Sequence, residues 1–272
     1  MSNTYFFRND DVRETLDASL ISIQELFVAR RIPIIHAVEP ANITQAVVDW
    51  LIEKKTDHPD LIDIMQHGYD HKIKNKREKG EFGGQRGYEE QYNDIQRGKE
   101  LMEGYFFNLW FPAFNFPYAP YNQAAMKVLD DLGYAVLNSH YNKDWKRLLF
   151  YRMGHLTGKG LLFGHHVSWN MKRYPGTKMY EISMNISFIK KYLNEYTDCI
   201  FYTVDELVER IEQYRRSPYP VGLLLHHRYH TTPESIILIS DVLDYLDQER
   251  IVATSMRAIY NQLIGKGNGR QE

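Results

Sequence analysis

The stretch Leu61-Ile-Asp-Ile-Met-Gln-His67-Gly-Tyr-Asp-His71 places two histidines directly after a strand-like apolar run. Side chains four residues apart share a face if the backbone between them is helical or turned. Neutral imidazole is the commonest protein ligand of zinc-like metals. The spacing therefore predicts that His67 and His71 bind one metal ion. The alternative is a pair of solvated or hydrogen-bonded histidines in a polar loop.

Two adjacent carboxylates follow another apolar strand near the N-terminus. The run Tyr5-Phe-Phe-Arg8 leads directly into Asn9-Asp10-Asp11. Two histidines and one carboxylate form a common catalytic metal site that leaves a position for water. The second carboxylate is then available as a base. Alternatively, the two aspartates cap the helix that begins nearby, because Asp is a favoured N-cap residue.

The composition is that of a globular protein without a strong surface field. The 272 residues are 43% hydrophobic and 25% charged, with a formal net charge of −2. This length is ordinary for one barrel domain, and the charge balance argues against a nucleic-acid partner. Cys199 is the one cysteine, which excludes an intramolecular disulfide and is typical of a reducing compartment. We find neither a signal-peptide pattern nor an apolar run of about 20 residues, so we expect a cytoplasmic protein without a transmembrane segment.

Strand-like and helix-like patterns alternate along most of the chain. Such alternation predicts βα units, a parallel sheet or barrel with right-handed crossovers, and one domain over residues 1–272. The predicted strands are 5–8, 32–38, 61–66, 109–114, 134–137, 161–163 and 221–225. The predicted helices are 15–31, 45–55, 88–106, 123–132, 186–195, 204–215, 233–248 and 255–264. The charged, glycine-rich segment 72–87 is predicted to be a mobile loop.

Polar residues follow several of these predicted strands. In a barrel enzyme, the active-site residues lie at the C-terminal ends of the strands. We therefore expect one site formed by the residues that occupy those positions, namely Asp10, Asp11, His67, Asn115, His226 and His227. His36, on an apolar strand, is expected to be a core histidine, and His230 is expected to be solvated.

Taken in order, these residues resemble the motifs of the polysaccharide deacetylase family, also called the NodB-homology or carbohydrate esterase family 4 (CE4) group. The family's Thr-Phe-Asp-Asp-Gly corresponds to Arg8-Asn-Asp-Asp-Val12, and its His-Ser/Thr-x-x-His to His67-Gly-Tyr-Asp-His71. The third motif has Phe111-Pro-Ala-Phe-Asn115 in its slot, with phenylalanine in place of an arginine. The last motif, Leu-x-His, matches Leu224-Leu-His226. A further motif, Asp-x-x-Asp-Trp, is met only in part by Asp144-Trp145.

The resemblance implies an α/β fold, a distorted (β/α)7-type, TIM-like barrel, and a metal-dependent carbohydrate deacetylase. Such an enzyme is a hydrolase of carbon–nitrogen bonds other than peptide bonds. The ligands of the divalent metal, expected to be zinc, would be Asp11, His67 and His71. Asp10 would be the general base and His226 the general acid. The metal would polarise the carbonyl and lower the pKa of bound water, which acts as the nucleophile, toward about 7.

Three further residues complete the predicted site as substrate-binding residues. A backbone N–H near Phe114 or Asn115 is expected to stabilise the oxyanion. Asn115 binds substrate or, alternatively, caps a turn. His227 is expected to line the pocket, because strand alternation sends His226 and His227 to opposite faces.

The predicted function is removal of an N-acetyl (or O-acetyl) group from a carbohydrate or glycan precursor. The missing third-motif arginine normally steadies the base, so Asp10 must be held by another residue, such as Arg8 or a lysine. Two alternatives stay open. One is a catalytically impaired family member that binds a glycan or a protein. The other is an amidohydrolase of a non-sugar substrate.

Overall fold

The computed structural model describes residues 4–141, 149, 153, 156–157, 168–194 and 198–268. Its strands are β1 Thr4–Val12, β2 Ile34–Val38, β3 Ile62–His67, β4 Ala113–Asn115, β5 Val136–Leu137, β6 Lys172–Arg173, β7 Tyr180–Glu181, β8 Met184–Ser187, β9 Ile189–Asn194, β10 Asp198–Phe201, β11 Val221–His226 and β12 Val252–Ala253. Its helices are α1 Ala18–Ala29, α2 Gln45–Asp57, α3 Tyr88–Phe106, α4 Gln123–Asp131, α5 Val204–Glu212, α6 Pro233–Gln248 and α7 Met256–Asn268. None of these helices is long and apolar enough to cross a bilayer.

Ten of the described strands form one sheet in the order β6-β7-β5-β4-β3-β2-β1-β11-β8, with β12 also pairing with β1. The pairs of β1 with β2, β11 and β12 are parallel, as are β11 with β8, β3 with β4, β4 with β5 and β5 with β7. Strand β6 is antiparallel to β7. The predicted parallel α/β sheet is therefore confirmed. A separate antiparallel pair is formed by β9 and β10.

The chain divides into two compact units, residues 1–38, 43–64 and 184–272 in one and residues 39–42 and 65–183 in the other. In the first unit, apolar residues of β1, β11, α1, α5 and α6 form a buried core. In the second, Phe82, Phe114, Phe116 and Tyr134 pack their rings edge to face. The expectation of one domain across the chain stays a prediction.

Helix ends follow local capping chemistry. The carboxylate of Asp17 accepts the N–H of Leu20 at 3.0 Å and caps α1. The alternative that Asp10 and Asp11 cap this helix is therefore wrong. Thr232 caps α6 and is followed by Pro233 at the first helical position, where the missing N–H costs no hydrogen bond. These signals place α6 at its predicted bounds.

Three local predictions differ from the structure. Within the predicted helix 186–195, the described residues 186–194 are not helical, because Met184, Ile186 and Ser187 pair with β11 in a parallel ladder and the chain then continues as β9. Segment 72–87 is not simply a solvated loop, since Glu81 and Phe82 within it are fully buried. His230 is buried rather than solvated. The predicted strand 161–163 and the Asp144-Trp145 match lie outside the described residues.

A substitution at Gly222 tests how closely the strands of the first unit pack. A Cβ on this residue would lie 2.7 Å from Cζ of Phe6 and 3.0 Å from the Cα of Met184. We therefore expect Gly222→Ala to lower the free energy of unfolding by about 1–3 kcal/mol through overpacking. Gly104, on an exposed part of α3, has nothing within 4 Å, so Gly104→Ala is expected to raise it by about 0.5–1 kcal/mol. Urea denaturation measures both, and an unchanged Gly222→Ala protein would contradict this packing.

Candidate active site

The paired aspartates lie on an irregular part of β1. Its register against β2 shifts between Asn9 and Val12, and Asp11 has a φ of 63°. In a regular strand, adjacent side chains point to opposite faces of the sheet. An irregularity of this kind changes the direction in which they point. A positive φ is uncommon in residues other than glycine, although aspartate tolerates it better than most. Asp10 and Asp11 are both buried by the fold.

Asp10 is held by an arginine two residues earlier on the same strand. The Nε of Arg8 lies 2.6 Å from Oδ1 of Asp10, and its Nη2 donates to Oδ2 at 2.8 Å. Residues i and i+2 share a strand face, so the guanidinium meets the carboxylate with one hydrogen bond and a second close ion-pair contact. Both side chains are at most 5% exposed. The hypothesis that Arg8 steadies Asp10 in place of the missing arginine is thus supported by a direct contact.

His226 ends β11 directly opposite Asp10 in the parallel ladder. Its Nε2 lies 3.9 Å from Oδ2 of Asp10 and 3.4 Å from the hydroxyl of Tyr192 on β9. Burial, together with the nearby carboxylates of Asp11 and Asp10, raises the pKa of Tyr192, so its hydroxyl stays protonated near neutral pH. Sequence reasoning missed Tyr192, because the segment that carries it was predicted to be a helix.

Behind this pair lies a buried polar network. Asn9 accepts the backbone N–H of His227 at 2.8 Å, and its Nδ2 lies 3.2 Å from Nδ1 of His36. The other ring nitrogen of His36 is 2.6 Å from Oε1 of Gln24. Burial lowers the pKa of His36 to about 3 and also lowers the pKa of His227, so both rings are neutral. His36 is a core histidine, as predicted.

His227 takes part in the same network. Its Nδ1 lies 3.1 Å from the carbonyl of Asp10 and 3.2 Å from Nδ2 of Asn9. These contacts join the ends of β1 and β11. The side chain is 1% exposed. Its expected role in substrate binding stays a prediction.

The two histidines of the 67–71 segment are brought together by a turn rather than by a helix. His67 ends β3, Gly68 has a φ of 59° and His71 a φ of 51°. The two imidazole centroids are 5.1 Å apart. Tyr118 packs its ring on His71, with centroids 4.5 Å apart, and donates its hydroxyl to the His71 carbonyl at 3.0 Å.

Asp11, His67 and His71 each offer one ligand atom, and these three atoms lie within 4.8 Å of one another. Within the described part of the chain, no other group of three His, Cys, Asp or Glu residues is arranged to hold a metal ion. Two imidazoles and a carboxylate form a common donor set for a catalytic divalent ion. All three residues are buried, where ligand atoms compete little with water. The residues present therefore fit such an ion.

Phe114 and Asn115 lie at the end of β4. The ring of Phe114 is fully buried among Phe82, Phe116 and Tyr134. The carbonyl of Asn115 accepts the N–H of Gly68 at 3.1 Å and so joins β4 to the histidine turn. The side chain of Asn115 is also buried. Substrate binding by these two residues stays a prediction.

Comparison with known proteins finds similarity in structure only. No protein-family model and no curated protein matches the chain by sequence. A Mycobacterium smegmatis protein assigned as a polysaccharide deacetylase superposes with a TM-score of 0.68 at 10% identity, covering 98% of this chain and 91% of that one. A family 4 acetyl xylan esterase from Clostridium thermocellum, in complex with a cobalt ion, gives 0.58 at 6% identity, covering 96% and 91%.

A third similar structure is a CE4 family pseudoenzyme from Bacillus anthracis. Its TM-score is 0.54 at 11% identity, and the match covers 95% of this chain and 66% of that one. Identities this low establish the fold and leave the activity to the residues of this chain. The chain therefore has the distorted (β/α)7-type barrel fold of the CE4 polysaccharide deacetylases, the fold that its ordered motifs predicted.

Proposed function

We propose that this protein is a metal-dependent hydrolase that removes an N-acetyl (or O-acetyl) group from a carbohydrate or glycan precursor. The observation that carries the proposal is the buried Arg8–Asp10 pair with His226 placed beside it. A carboxylate base and an imidazole acid lie 3.9 Å apart, and the base is oriented by a two-point contact.

The metal ligands of this proposal are Asp11, His67 and His71, and zinc is the expected ion. When bound, such an ion supplies Lewis-acid polarisation of the acetyl carbonyl and acidifies water. The carboxylate and the two imidazoles come from the strand ends at which a barrel places its chemistry. The cobalt ion in the Clostridium thermocellum esterase supports a metal role for the fold.

Asp10 and His226 would move the protons of the reaction. Asp10, held by Arg8, would take the proton of the attacking water. His226, as imidazolium, would give a proton to the departing nitrogen or oxygen, since an amide nitrogen leaves poorly unless it is protonated. The Tyr192 hydroxyl, 3.4 Å from Nε2 of His226, would orient that ring.

A second candidate function is a binding module without catalysis. The observations that favour it are the buried Phe111 in the slot of the third-motif arginine and the existence of a pseudoenzyme with this fold. Acetate release from N-acetylated oligosaccharides, compared with release from acetylated amines that carry no sugar, separates a carbohydrate deacetylase from both alternatives.

Removal of a ligand tests the metal site. We expect Asp11→Ala and His71→Ala proteins to lose stoichiometric zinc, because two remaining protein ligands bind the ion weakly. Metal content after dialysis, measured by plasma mass spectrometry, checks this. His58→Ala, which changes a histidine at the end of α2, is the matched control and should keep its zinc. Full metal content and activity in both site variants would contradict the proposal.

Neutral replacements test the proton-transfer roles. We expect Asp10→Asn and His226→Gln each to lower kcat by about 10²–10⁴-fold, the usual contribution of a positioned acid or base. Zinc content should stay at the wild-type value, since neither residue is a proposed ligand. Acetate release under substrate saturation gives kcat, and a wild-type kcat in either variant would remove that residue from the mechanism.

The buried ion pair is tested by a double-mutant cycle. Arg8→Met leaves the Asp10 carboxylate buried without this partner, so we expect the free energy of unfolding to fall by about 3–5 kcal/mol. The Arg8→Met/Asp10→Leu protein should recover most of that loss, because both charges are gone. Urea denaturation of the four proteins gives the coupling. Strictly additive losses would show that the pair does not act as a unit.

A further inference from the structure

We propose that Glu81 is a positioning residue for the metal: its buried carboxylate holds the 67–71 turn in the conformation that presents His67 and His71 to one ion. This inference rests on the proposed metal-dependent function and assigns a role to a residue outside the motifs. Glu81 lies in the charged segment between β3 and α3, and it is fully buried.

The Glu81 carboxyl group accepts a set of hydrogen bonds from the turn. Three consecutive backbone N–H groups donate to it. Oε1 accepts from Tyr69 at 3.0 Å and from Asp70 at 3.1 Å, and Oε2 accepts from His71 at 3.2 Å. A buried turn has to satisfy its backbone donors, and here one side chain satisfies three of them.

These hydrogen bonds also maintain an unusual backbone conformation in the turn. His71 sits in the left-handed region at a φ of 51°, which costs a non-glycine residue of order 1–3 kcal/mol. Such a conformation persists only when the surroundings impose it, and the Glu81 bond to the His71 N–H does so directly. Without this hydrogen bond, the backbone of the turn can relax, and the two imidazoles are then no longer held on the same side.

A glycine at position 68 leaves space for the Glu81 carboxyl group. Gly68 has a φ of 59°, and a Cβ there would lie 2.3 Å from Oε2 of Glu81 and 2.4 Å from Cγ of Pro117. Any larger residue at position 68 would displace the carboxylate. The glycine next to the first histidine and the buried glutamate are therefore parts of one arrangement.

A cationic side chain of the same segment lies close to the carboxyl group of Glu81. Nζ of Lys74 lies 3.7 Å from Oε1 of Glu81 and 2.9 Å from carboxylate oxygens of both Asp70 and Asp94. Burial raises the pKa of Glu81 to about 8, while Lys74 and the Asp70 N–H act in the opposite direction. The lysine links the turn to α3 through Asp94.

The test is the zinc affinity of Glu81→Gln, measured by chelator competition on the full chain. The amide has nearly the same shape, but its nitrogen cannot accept a backbone N–H. We expect Kd for zinc to rise 10–100-fold, as for other residues that orient metal ligands. Glu78→Gln is the matched control, since Glu78 lies three residues away and accepts from the Asn75 amide at 2.9 Å. Its zinc Kd should equal that of the wild type.

A second readout separates positioning from a merely structural role. Zinc raises Tm by an amount that depends on its affinity for the folded state. A structural loss would lower the Tm of the metal-free and zinc-bound proteins equally, whereas lost positioning reduces the increase that zinc produces. An unchanged increase in Glu81→Gln, with unchanged Kd, would overturn the inference while leaving the metal-dependent function intact.

A third measurement needs no variant and keeps the inference testable if Glu81→Gln does not fold. Hydrogen exchange on the metal-free wild type should show protection of the Tyr69, Asp70 and His71 amides, because the carboxylate binds them before any metal arrives. Rapid exchange of all three would overturn the inference. A wild type that binds no zinc would overturn the proposed function and this inference together.

Discussion

The parallel pairing of β1 with β11 is the constraint on which the candidate catalytic pair depends. The ladder runs in register from Tyr5 opposite Val221 to Asp10 opposite His226. A shift by one residue would reverse the face of every side chain on the strand, so it would separate the base from the acid. Apolar residues on both faces of β1 and β11 are buried, which makes such a shift costly. At the end of the ladder, the side chain of Asn9 accepts the N–H of His227, and this hydrogen bond also opposes a shift in register.

The polar groups around the site are buried together with their hydrogen-bond or ion-pair partners. Arg8 pairs with Asp10, Asn9 joins His36 and His227, and Glu81 receives three backbone N–H groups. Burying a charge is costly unless geometry and hydrogen bonds offset it, and an apolar core of equal volume would often be as stable. Such groups fix the positions of their neighbours and add little stability compared with apolar residues of equal volume.

Local patterns predicted much of the fold. The bounds of α3 and α6 were predicted correctly, since apolar spacing and the Thr232-Pro233 start are signals within one helix. Residues 186–195 were predicted to be a helix because short apolar runs fit either period, and their pairing with β11 lies in a distant part of the sequence. Composition likewise marked segment 72–87 as a loop. It could not reveal that Glu81 within it is buried, because the partners of Glu81 are backbone groups.

By itself, the sequence determined which chemical groups end the strands and in what order they occur: the paired aspartates, the two spaced histidines and the late histidine. Strand alternation and the ordered motifs are properties of short segments, so they can be recognised without a fold. Only the tertiary structure decided that Arg8 holds Asp10, that Tyr192 contacts His226, and that Asp11 and His71 adopt left-handed backbone. The Tyr192 contact joins segments that are distant in sequence, and the left-handed backbone is strain that the surrounding packing imposes, so neither leaves a local pattern in the sequence. The Arg8 contact is local, but the sequence alone left open whether Arg8 or a lysine makes it.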